Sequence, residues 1–68
     1  MTAPNPVSRE MFRLALRRAG LTQRGAARVL GINERTVRRY AAGEPVPKLV
    51  WIALNALVME VEKALETR

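Results

Sequence analysis

The residues best equipped for chemistry in this 68-residue chain are arginines, and Arg35, Arg38 and Arg39 crowd into one short segment with Glu34 and Thr36. A guanidinium donates two parallel hydrogen bonds, which match the oxygens of a phosphate or the O6 and N7 acceptors of guanine. Other chemistries lack their parts. Histidine, cysteine and aspartate are absent, the six acidic residues are all glutamates, and there is one serine and one tyrosine. Neither a metal-ligand set nor a nucleophile paired with a base can be assembled from these. The composition points away from an enzyme, and no cofactor, metal or small-molecule substrate is expected.

Arginines act together only if a rigid element holds them, and capping residues and glycines mark out consecutive helices with no strand pattern between them. Ser8 caps a first helix reaching about Ala19, with Phe12, Ala15, Leu16 and Ala19 inward and Gly20 ending it. Arg9, Arg13, Arg17 and Arg18 fall elsewhere on its surface. Thr22 caps a second helix to about Leu30, whose inward residues are Ala26, Ala27, Val29 and Leu30, and Gly31 supplies the positive φ that closes it. Asn33 caps a third helix running from Glu34 to about Ala42, where Gly43 stops it. Pro47 suits the first position of a fourth, which continues to about Thr67. The expected fold class is all-α with four to five helices. Residues 1–7 form a loose leading tail and 8–68 one domain, with a helix-turn-helix over 22–42.

At about 100° per residue, Val37, Tyr40 and Ala41 share one face of the third helix, and Arg35, Arg38, Arg39 and Ala42 share the opposite one, with Glu34 and Thr36 at its margins. A basic helix face is often merely solvated. This one directly follows a short helix and a glycine turn, the layout that carries a helix into a major groove.

The spacing of Gln23, Ala27, Gly31, Val37 and Tyr40 resembles the signature of the Cro/C1-type, lambda-repressor-like helix-turn-helix family. In that pattern a glutamine opens the first helix of the pair, an alanine lets the helices cross closely, a glycine makes the turn and two apolar residues seat the recognition helix. The resemblance covers roughly residues 8–58, and Leu21, Thr22 and Gly43 also look like the family. The run Ala19-Gly20-Leu21-Thr22-Gln23-Arg24, with Ala26-Ala27, Leu30-Gly31-Ile32 and Tyr40, is similar to one branch of the phage-type autorepressors known as anti-CRISPR-associated proteins.

Resemblance and chemistry imply the same roles. Thr22 and Gln23 sit at a helix N-terminus, where free N–H groups favour a phosphate, and Arg24 clamps a phosphate beside them. Arg35 and Arg39 are the candidates for reading guanine. Glu34 either accepts from a cytosine amino group or is simply an N-terminal helix charge. Arg38, at the edge of the face, contacts the DNA backbone. Asn33 and Thr36 are within reach of phosphates, although capping alone accounts for Asn33. Arg17, Arg18 and Arg28 contribute only to the field.

The formal net charge of +6 is unevenly placed, at +3 over residues 1–21, +4 over 22–42 and −1 over 43–68. The last third is a different kind of surface. From 49 to 59 the fourth helix is apolar almost all round, interrupted by Asn55, and is about half the ~20 residues needed to span a bilayer. So small a domain cannot bury every side of it. One side is expected against the first three helices, and another, drawn from Trp51, Leu54, Val58, Val61 and Leu65 at heptad-like steps, against a second copy, making 47–67 a dimerisation helix. Asn55 there either fixes register or is simply exposed.

The reading that follows is a cytoplasmic transcriptional repressor that binds double-stranded DNA as a homodimer on an inverted-repeat operator, with half-sites roughly 34 Å apart. Residues 1–6 do not resemble a secretion signal. An antitoxin-like or other protein-interaction module, whose last helix holds a different protein, is the main alternative. A membrane-active peptide is disfavoured because the charges and the apolar helix occupy different segments. A single-strand RNA binder is disfavoured because Phe12, Tyr40 and Trp51 all have core or interface roles.

Overall fold

Three polar side chains start the first three helices in the computed structural model, which describes residues 7–67. Ser8 Oγ accepts from the Met11 N–H at 3.1 Å and opens α1 (Arg9–Arg18). Thr22 Oγ1 accepts from Gly25 at 3.0 Å and opens α2 (Gln23–Leu30). Asn33 Oδ1 accepts from Arg35 at 2.8 Å and opens α3 (Glu34–Ala41). Each bond satisfies a backbone donor that a helix start leaves unpaired, typically worth ~1 kcal/mol.

The helix ends are as local as the starts. Gly31 adopts φ 71°, a left-handed conformation that costs glycine nothing, and this lets the Ile32 N–H turn back onto the Ala27 carbonyl at 3.0 Å. The same closure, Leu21 onto Leu16 at 2.9 Å and Glu44 onto Arg39 at 3.0 Å, follows Gly20 and Gly43. The chain then crosses Pro45, buried Val46 and Pro47 into α4 (Lys48–Glu66). Pro47 takes the capping position with ψ 145°, one residue before the helical position expected of it. No strand occurs among the described residues, and none of their helices is long and apolar enough to cross a membrane.

Phe12, Val37 and Leu54 fill the centre of the core, ringed by Ala15, Leu16, Ala26, Ala27 and Ala41. The alanines let α2 approach α3 closely, the pairing that makes a helix-turn-helix. Phe12, Ala15, Leu16 and Ala19 are inward as expected, but Val29 is not: it is 54% exposed, because α2 turns Ala26 and Ala27 to the core. Val7 is also corrected. It is buried, and with Phe12 four residues into α1 it holds the chain as it enters the helix. The rest of the expected tail, residues 1–6, lies outside the described residues.

The larger correction concerns α4. Leu54 is fully buried and Val58 nearly so, both packed in the chain's own core, so neither is available to a second copy. Trp51, Asn55 and Val61 are half-buried, and of the six expected interface residues only Leu65 is exposed. Asn55 spends an amide hydrogen on the Trp51 carbonyl of its own helix at 2.8 Å. An apolar side of α4 does face solvent, but it carries Leu49, Ile52, Ala56 and Met59.

Candidate nucleic-acid interface

The inner face of α3 is sealed, with Val37 and Ala41 buried and Tyr40 packed edge-on against Phe12, ring centres 5.7 Å apart. A second restraint comes from α1. Arg13 Nε donates to the Ala41 carbonyl at 2.8 Å, placing a cation on the negative end of the helix. Held at its middle and its C-terminus, α3 presents the other face to solvent, and Arg35, Arg38 and Arg39 are all exposed there.

The α2 and α3 N-termini meet at one carboxylate. Glu34 accepts from Arg38 Nη2 at 2.7 Å, one turn along its own helix, and from Arg24 Nε of α2 at 3.4 Å. The hydrogen bond from Arg38 is the main reason its carboxyl ionises below the usual range; partial burial opposes this, and the charges of Arg38 and Arg24 add to it. Three residues expected to contact DNA are thus brought into one cluster. Arg39 pairs with Glu44, just beyond the helix, at 3.3 Å. Arg35 has no ion pair among the described residues, and its guanidinium is free to meet an incoming anion.

Thr22 and Asn33 already use a side-chain oxygen for capping, which leaves their side-chain hydrogens and the neighbouring N–H groups to offer an anion. Gln23 and Thr36 are half-buried at the margin of the same surface. Arg13 and Glu44 are the two contributors that pattern reading misses. The contact of Arg13 lies 28 residues along the chain, and no local spacing signals it.

The arrangement is a basic α3 face with fixed footing, joined through Glu34 to Arg24 of α2; Arg35 has no ion pair among the described residues, and an anion can displace Glu34 and Glu44 from the other three. A family model described as an antitoxin Xre-like helix-turn-helix domain matches residues 2–48. The match takes in α1, α2 and α3 and stops at the first residue of α4. Comparison with curated proteins and with solved structures gives no match.

Proposed function

The chain belongs to the antitoxin Xre-like helix-turn-helix domain family, a family of the Cro/C1 type, and from that premise we propose that it is a transcriptional repressor acting as a homodimer on an inverted-repeat DNA operator. The observation that carries this reading is the seating of α3, with Val37 and Ala41 sealed and Arg35 and Arg39 exposed on the opposite face. In this reading Arg35 and Arg39 each donate to guanine O6 and N7, while Arg24 and Arg38 leave Glu34 for phosphates. Thr22, Gln23, Asn33 and Thr36 line the path of the backbone. In this reading the bound dimer acts by occupying a promoter. The likeness of residues 19–32 to anti-CRISPR-associated autorepressors supports the promoter of its own operon as the operator.

The test begins by selecting bound fragments from random duplex DNA, in which a recovered palindrome reports symmetry, spacing and bases together. Titration of that operator and of random duplex then separates the roles. Arg35→Ala is expected to erase ~1 to 3 kcal/mol of discrimination while sparing random-sequence binding, and Arg24→Ala to weaken both. Equal losses on both DNAs for Arg35→Ala would remove its base-reading role.

A second reading, an antitoxin-like module whose α4 holds a different protein, is favoured by the description of the family and by the position of α4 beyond the matched residues. A chain that stays monomeric at all concentrations supports it over the homodimer.

A further inference from the structure

Leu49, Ile52, Ala56 and Met59 recur at alternating three- and four-residue steps along α4, opposite the face that sends Leu54 and Val58 into the core. That spacing is a coiled-coil seam. Leu49 is 80%, Ile52 53% and Met59 69% exposed. The stripe is apolar and exposed among the described residues.

We propose that this stripe pairs with the same stripe of a second copy, the two α4 helices running antiparallel about a two-fold axis. The inference rests on the homodimer reading and assigns its interface. In an antiparallel seam Leu49 packs on Met59 of the partner subunit and Ile52 on Ala56 of the partner subunit, so every apolar residue of the stripe meets another. Sliding the pairing by one heptad toward the C-termini sets Ile52 against Lys63 of the partner subunit and Leu49 against Glu66 of the partner subunit.

Charge selects the direction. One end of α4 carries Lys48, and the other carries Glu60 and Glu66 around Lys63, while Glu62 is held by Arg18 of α1 in the same chain. Antiparallel pairing brings unlike ends and opposed helix dipoles together, whereas parallel pairing stacks like on like. The patch also widens beyond α4, as a stable interface of roughly 800 Å² per partner requires. Exposed Met11 and Leu14 of α1 share a groove with Trp51 and Asn55 on the flank of the stripe.

The absence of cysteine from the sequence makes the geometry directly testable. Leu49→Cys and Met59→Cys variants are prepared separately, mixed and oxidised. The mixed disulfide is expected to outnumber both like-with-like disulfides; a predominance of the like-with-like products, or no cross-link, overturns the arrangement. Sedimentation without DNA supplies the second measurement. Ile52→Glu is expected to weaken self-association at least about tenfold with helical circular dichroism unchanged, since the residue is exposed in the protomer. If wild-type protein and Ile52→Glu are dimers of equal strength, this face is wrong and the homodimer reading survives. If wild-type protein is monomeric, both fall.

Discussion

Glu34 is the residue on which the candidate surface turns, because one carboxylate holds Arg24 and Arg38 together in the absence of DNA. Exposed ion pairs of this kind add little to stability. Their sign is nevertheless measurable through pH. A carboxyl whose pKa falls on folding stabilises the fold above its unfolded value, and that contribution disappears as pH drops through the lowered folded value. Glu10 is lowered too, chiefly by a backbone hydrogen bond at the start of α1, so Glu34 is not alone in this among the described residues. In thermal melts wild-type protein is expected to be slightly more stable than Glu34→Gln at neutral pH, the gap closing in acid below the carboxylate range. A gap that stays constant across that range contradicts the assignment of the pair.

At the scale of the elements, the turn between α2 and α3 fixes how the recognition helix leaves the scaffold. Gly31 has open space where a Cβ would stand, so replacement by alanine strains only the backbone. Gly31→Ala is expected to cost about 1 kcal/mol, or roughly 4–8 °C in melting temperature for a domain this small, by calorimetry. An unchanged melting temperature would show that the turn has another route. Caps and turns are the parts most legible in the sequence, because Ser8, Thr22, Asn33 and the glycines act on neighbours within a few residues. The outward placement of Arg35 and Arg39 is legible for a related reason, since α3 has one apolar face and one basic face. On α4 that contrast is missing. Two heptad phases of the helix are both apolar, and only the hole left between the other helices decides that Leu54 and Val58 go inward while Ile52 and Met59 go out. Val29 misleads similarly, as a large apolar residue on a short helix whose core side is already filled by alanines.

Over the whole molecule, charge and apolar surface are separated: the basic groups concentrate in α1 to α3, and the exposed apolar stripe and the acidic end belong to α4. Binding through such a basic surface releases counterions, so the logarithm of affinity falls with the logarithm of salt concentration by about 0.9 for each phosphate neutralised. For a two-fold complex Arg24→Ala is expected to reduce that slope by about two, one contact from each protomer, whereas Ile52→Glu leaves the per-protomer slope unaltered. A slope indifferent to Arg24→Ala would take that side chain off the phosphate path.

Pro45, Val46 and Pro47 join the helix-turn-helix to α4, with two backbone φ angles locked by proline rings and the valine anchored in the core. Under the two-fold reading, that stiff bracket acts as a ruler. Lengthening the gap between half-sites by a single base pair carries the far recognition face roughly 3.4 Å away and swings it around the duplex axis, a displacement a locked joint does not follow. Discrimination among promoters is thereby written partly in distance, by residues that never touch a base.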